Sequence, residues 1–327
     1  MSSLPFWATV LTVALVVGMA ALVLNIEAGW GGMWDLGIAG QVAVGAYAYA
    51  LVTSPSDGTV PGLGLPFWAG MVGAGVVTAF VALLIGWPTL RLRGEYFLIT
   101  TFAFAEIIRQ LIIIQRGLTG GTFGITRIEK PFAEFFLPSA YPFVLLGLAA
   151  VATVLVYLIC LRVGSSTYGL TLRAARDNEP LARSMGKAVD RVRIGTYALV
   201  GGVIGLLVAP VYVWFLGALV PSTFSSHLTF LVWTGLVIGG LGSKVGGLIG
   251  AVVLTLLSES VRYISVDPEY ASRVAAVQPF LVGVLLIVLL RWRPSGLLSE
   301  RGAFNRRRPP RTPSARTQDV PREVVSA

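Results

Sequence analysis

The chain has 327 residues, 55% hydrophobic and only 13% charged, and its mean hydropathy of +0.78 excludes an ordinary soluble domain. Its 25 Lys and Arg against 16 Asp and Glu leave a net charge of +9, which in so apolar a chain is mostly a topology signal rather than a nucleic-acid footprint. The single cysteine, Cys160, excludes an internal disulfide, and its apolar neighbours suit a buried thiol.

Uncharged runs of bilayer length recur along the chain. Nine spans are predicted, at 5–26, 35–53, 64–86, 96–115, 140–162, 194–217, 222–242, 245–262 and 277–291, with eight to ten allowed by the uncertain boundaries. The fold class is therefore an all-α polytopic membrane protein. The first 26 residues lack a basic n-region and read as a retained span rather than a cleaved signal. Next comes the Gly-rich stretch 29–45, which is compatible with a re-entrant or broken helix. Asn25, Asp35 and Gln41 surround it, and unwound backbone there would line a cavity.

The span 96–115 carries Tyr96, Thr100 and Thr101, then Glu106 and Arg109 three residues apart on one face. Ionisable groups at membrane depth are expensive and often functional. Two readings stay open: an ion pair clamping the bundle interior, or part of a polar translocation path. In the first case, removing one partner would cost about 3–5 kcal/mol.

Residues 162–193 form a charged island of seven Lys and Arg and three Asp and Glu between apolar runs. Its middle reads as a short helix. Asp177 or Asn178 caps it, Glu179 and Pro180 fall in the first turn, and Leu181, Ala182 and Met185 line one side. Gly186 stands where a left-handed C-terminal cap belongs. Such a helix, presented to the cytoplasm, is predicted to dock a partner.

Residues 194–243 contain no Asp, Glu, Lys or Arg over 50 positions, so this stretch must fold back once, near Pro221. Its one histidine, His227, is read as a packing residue, with a proton relay as the sharper alternative. Gly235 and Gly239, then Gly242, Gly246 and Gly250, recur every four residues, a spacing that lets helices approach closely. The tail 301–327, rich in Arg and Pro, is expected to be disordered and at most to touch anionic lipid.

Placing the island and the tail inside puts 19 of the 25 basic residues in cytoplasmic segments and the N-terminus outside. The chain has no P-loop, CxxC, HExxH or GxSxG pattern, so neither ATP hydrolysis nor any other enzymatic chemistry is expected of it, and no cofactor or metal is called for.

The runs GWGGMWDLGIAGQVAVGAYAYAL at 29–51, LRLRGEYFLITTFAFAEIIRQLI at 90–112, LTGGTFGI at 118–125, GLTLRAARDNEPLARSMG at 169–186 and LVIGGLGSKVGGLIGAVVL at 236–254 resemble the branched-chain amino-acid ABC-transporter permeases of the LivM type. The resemblance implies a permease domain over 1–300 of a bacterial inner membrane, with a coupling loop at 163–193. Asn178, Glu179, Leu181, Ala182, Met185 and Gly186 would then form the coupling helix, and Gln41, Tyr96, Thr100, Glu106 and Arg109 are candidates for the substrate path. Of the importer pattern Glu-Ala-Ala-x-x-x-Gly, only Ala182 and Gly186 agree.

The partners implied are a homologous second permease (or a second copy), two cytoplasmic ATPases and an extracytoplasmic solute-binding protein. The cargo would be branched-chain amino acids or related small polar solutes such as amides or urea. The alternatives are an ABC permease for sugars or nucleosides, and a gradient-driven secondary transporter using Glu106, Arg109 or His227.

Overall fold

The structure is a computed structural model, and it describes residues 3–55, 60–90, 92, 94–126, 128–262, 283–284, 287, 291–292 and 296–298. Among the described residues every regular element is helical, and the one β-bridge joins Ile125 to Leu219. Five helical stretches are long and apolar enough to cross a bilayer. They are α1 with its π-helical extension (Leu4–Trp30), α3 (Phe67–Thr89), α4 (Glu95–Ile114), α5 (Tyr141–Ser165) and α8 (Val189–Leu216).

Three shorter apolar helices complete the bundle: α2 (Ile38–Thr53), α9 (Ser226–Gly239) and α10 (Gly246–Arg262). The island folds separately into α6 (Thr167–Asp177) and α7 (Glu179–Ser184). This is a multi-pass helical membrane protein. Eight of the nine expected spans appear as apolar helices, whereas the ninth, at 277–291, and the tail 301–327 lie essentially outside the described residues.

Boundaries move for local reasons. The expected span 222–242 shortens to Ser226–Gly239, because Pro221–Phe224 forms a 3-10 turn and Gly240 leaves helical geometry at φ 107°. The fold-back expected near Pro221 runs from Gly217, in the left-handed region at φ 69°, to Ser225. The span expected to begin at 194 begins at Val189, so α8 starts inside the charged island.

α1 is the axis of the bundle: it packs against α5, α9 and α10, and most of its second half is buried. Glycine and alanine set the spacing of the remaining pairs, since small residues let backbones approach without a hydrophobic driving force in lipid. Gly201 meets Ala82 where α8 crosses α3, and Gly235 meets Ala251 where α9 crosses α10. Cys160 is buried on α5, as expected, with its thiol toward the Leu22 carbonyl at 3.6 Å.

The outward face of α3 is apolar (Val72, Val76, Phe80, Leu83, Leu84), with an exposed Trp68 near one end and Trp87 near the other. At ~1.5 Å rise per residue these indoles stand about 28 Å apart, close to the ~30 Å thickness of a hydrocarbon core.

Candidate functional site

Three polar assemblies interrupt this apolar bundle. The first is the bend between α1 and α2. Helical geometry loosens into a π-turn at Ile26–Trp30 and gives way to irregular backbone until Gly37. The expected break is thus real but narrower than 29–45, because residues from Ile38 onward are helical. Side chains of other helices satisfy part of its backbone. Thr101 of α4 accepts the Leu36 N–H at 3.1 Å, Thr229 of α9 donates to the Leu36 carbonyl at 3.3 Å, and the Trp233 indole donates to the Asp35 carbonyl at 2.7 Å. The Asp35 carboxylate accepts the Gly37 N–H at 2.7 Å, opening α2, and the Gln41 amide at 3.3 Å. Asn25 is a clasp: its amide donates to the Ser243 carbonyl and accepts from Gly242, both at 2.8 Å.

Glu27 was missed by the sequence reading, which ended the first span one residue earlier. It is fully buried in the π-turn, and neither carboxylate oxygen has a hydrogen-bond partner among the described residues. The available signal was an acidic residue, the first in the chain, two positions before the Gly-Trp-Gly-Gly run.

The second assembly is α4. Only Phe97, Thr101 and Ile112 of this helix are buried. Glu106 and Arg109 do pair, through both carboxylate oxygens and with Gln110 beside them. They do not clamp the bundle interior, however. Their side chains remain 46% and 24% exposed on the outward face, above an open groove lined by Phe102, Ile107, Leu111 and Ile114. Tyr96 is exposed on the same helix, while the Thr100 hydroxyl is spent on the Tyr96 carbonyl at 2.7 Å. Gln41 belongs elsewhere: it is 5% exposed, on the inner side of α4, so the five candidate path residues do not share one surface.

The third assembly is the island. The Asn178 side chain caps α7 by accepting the Leu181 N–H at 3.1 Å, with Pro180 in the first turn. Gly186 adopts φ 75°, the left-handed cap that a Cβ would strain. One expectation is corrected: Ala182 does not share a side with Leu181 and Met185. It is buried against Ala175 and Val189, which seats α7 on the protein, while Leu181 and Met185 are 56% and 72% exposed. At i and i+4 those two share an outward stripe.

Arg183 bridges Glu179 at 2.9 Å and Asp190 at 2.6 Å, and Arg193 holds the other Glu179 oxygen at 3.0 Å. Burial pushes the Glu179 carboxyl up, but the bonds to Arg183 and Arg193 outweigh it and hold the group below its ordinary value. The hydrogen bonds that Arg183 donates to Asp190 and Glu179 raise its own value in turn.

The island is tied to the bend. Arg176 of α6 donates to the Gly29 carbonyl, and Arg173 lies over the Trp30 ring at 5.1 Å. Trp30 in turn donates to the Gly242 carbonyl at 3.0 Å. His227 sits at the start of α9, and among the described residues no cluster of metal-ligating groups occurs.

An apolar helical bundle with bilayer-length helices and a charged island held against one of its bends defines the class: a multi-pass helical membrane protein. The chain belongs to the family described as branched-chain amino acid transport system / permease component, whose profile matches residues 6–290. It is 30% identical over 316 residues to the high-affinity branched-chain amino acid transport system permease protein LivM of Salmonella typhimurium, covering 89% of this chain and 69% of that protein. It is 26% identical to the probable branched-chain amino acid transport permease protein LivM of Methanocaldococcus jannaschii, over 86% of this chain and 90% of that one. The same organism's probable LivH permease also matches, at 26% over 67% of this chain. No solved structure matches the chain.

Proposed function

We propose that this chain is the permease subunit of an ATP-driven importer of branched-chain amino acids or related small polar solutes, and that α4 faces the translocation path. One observation carries this reading: the outward face of α4 bears Glu106, Arg109 and Gln110 in the second half of the span, where lipid would leave them unsolvated. The outward residues of α5, by contrast, are Val151, Val154, Leu155 and Leu158, which suit lipid. A polar stripe on α4, where α3 and α5 present apolar outward faces, implies that α4 meets a second permease across an aqueous seam.

In this reading residues 1–300 form the permease domain of a bacterial inner-membrane protein, with the island and the C-terminus cytoplasmic. Two ATPases dock on the island through Leu181 and Met185. A solute-binding protein serves the opposite face. The grip of α6 on Gly29 and Trp30 then passes ATPase movement to the bend and so to α2 and α4.

Thiol labelling of the assembled transporter tests the path. Because the native Cys160 is buried, the background on this subunit is quiet. A membrane-impermeant maleimide should label Gln110→Cys on α4 and leave Val154→Cys on α5 untouched, with labelling changing when ATP is trapped. Equal silence at both positions refutes the assignment of α4 to an aqueous path.

A further inference from the structure

At the end of the bundle where α2 stops and α3 begins, the segment 128–135 folds across the helix ends and borders an open cavity of about 420 Å³. Its apolar side is a continuous run of aromatic contacts. Phe132 meets Phe67 edge to face at 5.4 Å, Phe67 meets Trp214 at 6.4 Å, and Trp214 meets Tyr49 at 6.1 Å. The Trp214 indole also donates to the Tyr49 hydroxyl at 2.7 Å, which fixes the floor.

The wall is held at a backbone cost. Phe132 has φ 61°, the only positive value found for a non-glycine among the described residues. A bulky residue in that region is strained by roughly 1–3 kcal/mol and persists only where its surroundings over-determine it. Here the backbone brings the Phe132 ring edge to face with Phe67, while 43% of the residue stays open to solvent.

The remaining lining is charged: Glu129, Lys130 and Glu134. Elsewhere among the described residues acidic and basic side chains form ion pairs, as in Glu106 with Arg109 and Glu179 with Arg183 and Arg193. These three carry no ion pair among the described residues, although both signs share one cavity. Lys130 instead extends over the Tyr141 ring, with its ammonium 5.3 Å from the centroid.

We propose that this cavity is a binding site for a zwitterionic α-amino acid with an aliphatic side chain. Lys130 takes the carboxylate, Glu134 with Glu129 takes the ammonium, and the Phe67–Phe132 wall takes the hydrocarbon. The volume is ample for one such molecule, and each of its three parts meets a wall of matching chemistry. A sugar would leave all three charges without ionic partners, and a purely apolar ligand would make no use of them, since they stay in contact with water. The inference rests on the amino-acid reading of the transporter and adds to it where, on this subunit, the substrate is recognised.

The test is equilibrium binding to the assembled transporter in nanodiscs, without its solute-binding protein, together with leucine uptake by the complete system. The probes are leucine, leucinamide (no carboxylate) and 4-methylvalerate (no ammonium). Wild type should bind leucine at least tenfold more tightly than either analogue, since charge-assisted hydrogen bonds carry that much discrimination. Lys130→Met should weaken leucine about tenfold and erase the preference over leucinamide alone. Glu134→Gln should erase the preference over 4-methylvalerate alone. Both residues are exposed, so neither change removes packing.

Intact leucine uptake in wild type with unchanged affinity and selectivity in both variants overturns the site and leaves the importer reading standing. Loss of solute-binding-protein attachment with leucine selectivity unaltered also overturns it, by assigning the surface to protein docking. A wild-type complex that moves no branched-chain amino acid sinks the importer reading itself.

Discussion

The seam between α9 and α10 gives the sharpest mechanical test of the packing. A methyl group at Gly239 would stand 1.8 Å from the Gly246 carbonyl oxygen and 2.3 Å from its carbon. One at Gly250 would stand 2.1 Å from the Gly235 oxygen and 2.4 Å from the Gly239 nitrogen. The obstructing atoms are backbone in both cases, so no rotamer change relieves the overlap. The helices would have to part by about 1.5 Å to restore van der Waals contact, and a gap far smaller than that already forfeits a quarter to a half of each dispersion well along the seam. The same helix end accepts the N–H groups of Leu297 and Leu298, at 2.9 and 3.0 Å, so the disturbance spreads to that docking as well. Gly239→Ala should therefore cost about 3 kcal/mol, the upper end of the usual overpacking range. Gly147 on α5 is the control, because a Cβ there meets nothing within 4 Å. Gly147→Ala should be neutral or gain about 0.5–1 kcal/mol, since it only restricts the unfolded backbone. Unfolding midpoints of the detergent-solubilised permease, followed by loss of the monodisperse species on heating, measure both. If Gly239→Ala melts with wild type, or both variants shift down together, the close-packed seam is not what holds α9 to α10.

Other expectations follow from the polar assemblies. Because Glu106 and Arg109 lie on an outward face, Arg109→Met should cost the isolated subunit no more than about 1 kcal/mol, well short of the penalty for a buried pair. It should instead impair assembly with the second permease, read by co-purification; a collapse of folded subunit yield would return the pair to the interior. Glu179 is held below its ordinary value near 4.5, so its ion pairs stabilise α7 fully above that value and lose their effect as pH falls through the lower folded value. Hydrogen-exchange protection of residues 182–187, corrected for intrinsic rate, should drop on acidification below pH ~4.5 in wild type and be flat in Glu179→Gln. Asn178→Ala should cost α7 about 1 kcal/mol through loss of its cap, and the same exchange experiment at neutral pH should show it. Proteoliposomes holding only the permeases and an imposed proton or sodium gradient should not accumulate leucine; vigorous uptake there would replace the ATP-driven reading with a secondary carrier.

What the amino-acid sequence determined is whatever depends on near neighbours. Bilayer-length apolar runs specify the spans, because backbone in lipid must satisfy itself within one helix. Asn178, Pro180 and Gly186 specify α7, because capping is decided within one turn. The Glu106–Arg109 pair follows from a spacing of three, and the family could be read from contiguous runs. The tertiary structure decided the facing of those elements. Spacing places Leu181 and Ala182 on adjacent rows of one turn, but only the position of Ala175 and Val189 turns Ala182 inward and leaves Leu181 outside. The same holds for α4, whose polar stripe points away from its own bundle because Thr101 on the opposite side is drawn to the Leu36 backbone. Glu27 escaped notice because a π-turn carries the helix past the boundary that hydropathy suggests. Each of these outcomes depends on contacts made across tens or hundreds of residues, such as Asn25 to Ser243 and Trp233 to Asp35, whose energies no local window of sequence contains.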